Sequence, residues 1–133
     1  MTEKELMQLK FLKLEIAIMR EELEQLKSLR DYEALRIDGM PKSGTHSDRV
    51  ANIAAAILDL EAKLYTHVEE LLEKWDRCEQ YIHSINDEDL RLMLRLRFID
   101  GLVWEEVSEQ MFLSETTLKR LMRHWRKTYS KAV

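Results

Sequence analysis

The residues best equipped for chemistry stand near the end of the chain, in SETTLKRLMRHWRKTY, Ser114 to Tyr129. At 100° per residue, Leu118, Leu121, Met122, Trp125 and Tyr129 share one helical face. Thr116, Arg120, Arg123 and Lys127 lie opposite, with Thr117 and His124 on one flank and Lys119 on the other. Arginine can bond guanine through two donors, and threonine can donate, accept or touch a thymine methyl. A helix opening at Ser114 also offers backbone N–H groups to a phosphate. The chemistry implied is recognition of base edges and phosphates, with no bond made or broken. Taken alone, a basic amphipathic helix could equally meet an acidic partner.

What precedes this helix gives it a setting. GLVWEEVSEQMFL, residues 101–113, reads as a short helix from Trp104 to about Met111 and a tight turn at Met111-Phe112-Leu113. Trp104, Val107 and Met111 share one face of it, and Glu105, Glu106 and Glu109 another. Ser114 then caps the next helix. The spacing fits a helix-turn-helix, whose second helix enters the DNA major groove.

Charge is distributed to match. The net charge is −4, which looks wrong for a DNA binder until the chain is divided. Residues 1–86 hold twelve Lys/Arg against seventeen Asp/Glu, whereas residues 113–133 hold six bases against Glu115 alone. Positive charge is thus gathered where phosphates would be neutralised.

The upstream elements must hold this unit. Residues 3–36 lack Gly and Pro and carry a seven-residue apolar repeat, Leu9-Ile16-Leu23 beside Leu12-Met19-Leu26. That seam predicts a coiled-coil or helical-hairpin stripe. A second row, Phe11, Leu14 and Ile18, lies off the seam and needs another cover, either the rest of the chain or a second copy in a homodimer. IDGMPKSGTHSD, residues 37–48, is the clear break, and Thr45 with Asp48 resembles a capping box. A second helix is predicted from about Ser47 to Ser84, running back antiparallel, with a stutter at Leu60-Leu64-Val68. In INDEDL, residues 85–90, Asn86 is the expected cap, and Ile85 with Leu90 the expected staple. That helix should run through LRLMLRLRFI to a left-handed stop at Asp100-Gly101, with Arg91, Arg95 and Arg97 mainly solvated.

Composition bounds the rest. Apolar residues make up 45% and charged residues 35%, with three Gly, one Pro and no strand-like alternation, so the expected class is all-α. No apolar stretch approaches the roughly 20 residues that span a membrane. MTEKELMQLK carries acids among its bases where a secretory leader needs an apolar run. With one cysteine, Cys78, an intramolecular disulfide is impossible and an intracellular home is expected. His46, His67, His83, His124 and Cys78 show no metal-ligand spacing, and there is no phosphate loop, nucleophile elbow or H-E-x-x-H. No cofactor, metal site or enzymatic activity is expected. Trp75, Trp104 and Trp125 sit on apolar faces and read as core.

LRLRFIDGLVWEEVSEQMFLSETTLKRLMRHWRK resembles region 4 of bacterial sigma factors, with its LR-x-RF, Gly, short acidic helix, Ser and basic reading helix. With GMPKSGTHSDRV and ILDLEAKL added, the pattern resembles small phage-encoded proteins with a sigma-like C-terminal unit, described as transcriptional regulators. The sigma-like part would cover about the last 45 residues. The resemblance implies promoter-type recognition of double-stranded DNA, with Glu115, Thr116, Thr117, Lys119, Arg120 and Arg123 facing it, and contact with RNA polymerase. Two positions depart from the pattern: Val103 where a Ser or Thr cap is usual, and Phe112 where Gly is usual. Sigma segments that melt promoters have no counterpart.

The fold expected is therefore a long antiparallel helical hairpin, residues 1–84, followed by a three-helix, sigma-region-4-like helix-turn-helix domain, residues 85–133. The function expected is a phage-type, DNA-binding transcriptional regulator. The DNA-contacting set is Ser114, Glu115, Thr116, Thr117, Lys119, Arg120, Arg123, His124 and Lys127, and Phe11, Leu14 and Ile18 are the candidates for oligomerisation. Two rivals fit the same pattern: a small-terminase-like DNA-packaging protein, and a helical protein–protein adaptor that binds no nucleic acid.

Overall fold

The computed structural model describes residues 1–36 and 44–129, with side chains from residue 47 in the second stretch. These residues form α1 (Glu3–Leu35), α2 (Gly44–His83), α3 (Glu88–Leu94), a π-helical segment (Arg95–Ile99), α4 (Trp104–Met111) and α5 (Glu115–Thr128). No strand occurs among them, and the fold is all-α as expected. None of these helices is long and apolar enough to cross a membrane.

The chain divides into two compact units, and α1 and α2 contribute to both. The first unit is Leu14–Glu69, a two-helix pair. Its helices run antiparallel: His67 Nε2 stands 3.4 Å from the Glu15 carboxylate, and Arg49 stands 3.6 Å from that of Glu33. Leu23, Ile53 and Ile57 are buried between them, and Leu26, Leu60 and Leu64 pack against that small core. Of the seven-residue seam, Leu23 and Leu26 meet this core, whereas Leu9 is buried in the other unit. Phe11, Leu14 and Ile18 are all exposed, so none of the described residues covers them. Helix α2 starts at Gly44, three residues ahead of the expected Ser47, because a first turn, whose N–H groups have no partner in the helix anyway, tolerates glycine. The proposed capping side chain of Thr45 lies outside the described residues.

The second unit joins Met1–Lys13 to the described residues from Glu70 on. Thr2 Oγ1 accepts from the Glu5 N–H (3.2 Å) and so starts α1. Leu6 and Leu9 follow at helical spacing, and both are fully buried with Ile82, Ile85, Leu94, Phe98 and Trp125. The first turns of α1 are thus core of the C-terminal unit. Lys13 closes this attachment by donating its Nζ to the Ile99 carbonyl and lying 4.1 Å from the Trp75 ring centre. Burial pushes the Lys13 amine below its usual range, and the Asp100 charge opposes that shift.

Helix α3 is capped by Asp87 and not by Asn86. Its carboxylate accepts the N–H groups of Asp89 (3.0 Å) and Leu90 (3.3 Å), after Ile85 has bonded back to Ile82 and spent one residue closing α2. Ile85 and Leu90 both enter the core, though no longer at staple positions. The ladder then widens: the Asp100 N–H reaches back five residues to Arg95 (2.9 Å). Leu94, Leu96, Phe98 and Ile99 are all buried along this segment. Gly101, at φ 74°, ends the run as expected.

Between α4 and α5 the chain turns on Phe112, at φ 57° and ψ 35°, with the Phe112 and Leu113 N–H groups both donating to the Ser108 carbonyl. Ser108 Oγ bonds the Leu113 carbonyl, and Leu113 packs on the core. This left-handed site suits glycine, and Phe112 bears the strain while 92% exposed.

Two stability outcomes follow. Leu6→Ala should lower unfolding free energy in urea by about 2–5 kcal/mol, because a cavity opens in the C-terminal unit; a change below about 0.5 kcal/mol would show that the first turn is not part of that core. Phe112→Gly should raise stability by roughly 0.5–1 kcal/mol, since backbone strain is relieved and almost no burial is lost.

Candidate nucleic-acid interface

Helix α5 is held by its inner face. Leu118, Met122 and Trp125 are buried, and Leu121 and Tyr129 pack beside them. The Trp125 ring lies 6.4 Å from that of Phe98. Its indole N–H donates to Tyr81 Oη (2.9 Å), which in turn donates to the Tyr129 carbonyl (3.2 Å). Burial raises the Tyr81 hydroxyl above its usual pKa, opposed by the Trp125 hydrogen bond, so the phenol stays protonated and able to donate. This chain fixes the rotation of α5 about its axis. It thereby decides which residues face outward.

At the start of α5, Ser114 is an N-cap with extended backbone, and its Oγ accepts the Thr117 N–H (3.2 Å). The Ser114 and Thr117 hydroxyls also bond each other at 2.9 Å, which commits both to the cap. Val103 opens α4 without a side-chain cap, and Glu105 and Glu106 compensate by lying in the positive first turn.

The outer face carries Thr116, Lys119, Arg120, Arg123, His124 and Lys127, all exposed. Lys119, Arg120, Arg123 and Lys127 form no ion pair among the described residues. Such a row repels itself, and an external polyanion would relieve it. His124 is less free: its ring stands edge-on to Tyr129 (6.3 Å), and its Nδ1 lies 3.5 Å from Thr128 Oγ1. Glu115 sits in the first turn, where it suits the helix dipole and would oppose a phosphate.

Of the three arginines expected to be mainly solvated, Arg95 is exposed and Arg91 and Arg97 are half-buried, and each has a partner. Arg91 donates to the Ile85 carbonyl (2.6 Å), and Arg97 donates to that of Leu102 (2.9 Å) while lying 5.0 Å from the Trp104 ring centre. Arg95 pairs with Glu79 (2.9 Å), and that hydrogen bond draws the Glu79 carboxyl below its usual range. Each guanidinium ties off a carbonyl or an acid: Arg91 and Arg95 near the end of α2, Arg97 ahead of α4. One further base belongs to the site's surroundings, and side-chain periodicity could not single it out: Arg126 is held by Glu3, from the opposite end of the chain.

Cys78 is buried, and burial raises its thiol above the usual pKa, which leaves a poor nucleophile. Among the described residues, no three His, Cys, Asp or Glu side chains are grouped as metal ligands.

The family model for the ECF sigma factor matches residues 32–133, which reaches well upstream of the last 45 residues expected to be sigma-like. No curated protein and no solved structure matches the chain. The family is one of DNA-binding regulators of transcription that act with RNA polymerase, and it is not a family of enzymes. A match over that much of the chain, ending in a helix with an outward row of unpaired bases, places this protein in the ECF sigma factor family.

Proposed function

We propose that this chain is a phage-type transcriptional regulator, working in the cytoplasm of a bacterial host, that binds double-stranded DNA through α4, the Phe112 turn and α5 used as a helix-turn-helix. Residues 85–133 would be the DNA-binding domain and residues 1–84 its arm, with the first turns of α1 packed back on that domain. The observation that carries the reading is the outer face of α5, where Lys119, Arg120, Arg123 and Lys127 have no ion-pair partner among the described residues. Thr116 and Arg120, near the N-terminal end of the helix, are suited to base edges. Lys119, Arg123 and Lys127 are suited to phosphates, with Glu115 and His124 as neighbours. Ser114 and Thr117 would act mainly through the backbone N–H groups their cap arranges.

The arm offers surfaces for the other expected partners. Exposed Phe11, Leu14 and Ile18 support pairing of two copies, and the acidic hairpin supports contact with RNA polymerase. A second reading, a protein–protein adaptor, is supported by the acidic arm and by the exposed and strained Phe112.

Arg120→Ala and Arg123→Ala, each titrated against labelled duplex DNA by fluorescence anisotropy, should weaken binding by about 1–3 kcal/mol while thermal unfolding stays unchanged. Normal binding by both variants would remove the outer face of α5 from the interface and favour the adaptor.

A further inference from the structure

The Arg126 guanidinium is gripped by the Glu3 carboxylate through two bonds, Nε to Oε2 at 3.0 Å and Nη2 to Oε1 at 3.3 Å. That fork geometry also fits two oxygens of a phosphate. Arg126 borders a cavity of about 390 Å³ that is lined also by Trp104, Met122, Lys119 and Arg123, with Glu115 its single acid. Three bases thus converge on one concave surface beside the outer face of α5. Glu3 is not a chance neighbour, because Thr2 caps the same helix turn and Leu6 and Leu9 are buried in the same unit. Both partners of the pair remain about half exposed, so the carboxylate can be exchanged for another anion.

We propose, resting on the DNA-binding reading above, that this cavity is a binding site for a backbone phosphate of DNA, and that Glu3 is an internal counter-anion masking Arg126 until the phosphate displaces it. The segment that carries Glu3 lies outside the residues matched by the family model. The mask lowers the affinity of the reading helix for any duplex and makes binding less steeply dependent on salt, because one cation is already neutralised before DNA arrives.

The test compares the full-length chain with E3Q, R126Q and the double variant, titrated against duplex DNA over a range of NaCl concentrations, with thermal unfolding of each. E3Q should tighten binding by up to about fivefold at low salt and steepen the slope of log K against log[salt] by up to about one. The gain should vanish in the R126Q background. It should also be missing from E5Q, which removes an exposed acid two residues away. Unchanged or weaker binding by E3Q would overturn the mask, the weaker case making Glu3 a positioning residue for Arg126. An equal gain in E5Q, or in the R126Q background, would overturn it as a general effect of net charge. If the unaltered chain bound no duplex at any salt, the DNA-binding reading would fall and take this inference with it.

Discussion

The fold depends on the burial of Trp125. A fourteen-residue helix with so many bases is too short and too polar to be stable alone in water. One indole, fully buried against Phe98, supplies the apolar anchor. A buried indole N–H with no acceptor would cost about as much as a lost hydrogen bond. Tyr81 removes that cost, and by donating onward to the Tyr129 carbonyl it also ties the last turn of α5. The same few contacts stabilise the helix and set which of its side chains face outward.

Charge is arranged around that anchor. Arg91, Arg95 and Arg97 on the preceding segment are spent on carbonyls, Glu79 and the Trp104 ring. Lys119, Arg120, Arg123 and Lys127 are left unpaired among the described residues. A protein of net charge −4 can therefore present a locally cationic surface, and its acids elsewhere limit binding to the wrong polyanions. Strain is placed nearby as well: Phe112 holds a left-handed backbone where glycine would be relaxed, and its ring faces solvent.

What was legible in the sequence is what local chemistry determines. The seam of Leu9, Leu12, Ile16 and Leu23, the cap at Ser114, the stop at Gly101 and the inner face of α5 all rest on spacing or on one residue's preference. Long-range pairing was not legible. Nothing local says that Leu6 belongs beside Trp125, or that Glu3 meets Arg126 more than a hundred residues away. The cap of α3 moved from Asn86 to Asp87 because Ile85 was needed to close α2, a contest between two adjacent helix ends that propensity alone cannot rank. The π turn at Arg95–Ile99 escaped because the apolar run LRLMLRLRFI suits either winding. Of the candidate site, the exposed face was readable residue by residue, whereas the mutual bonding of Ser114 and Thr117 was not.

The most direct test of the proposed function is selection of bound duplexes from a sheared DNA pool, carried out at two salt concentrations. The account predicts enrichment of a defined site at both, with affinity falling steeply as salt rises, because phosphate contacts from α5 contribute much of the binding. Absence of enrichment at either concentration would contradict it.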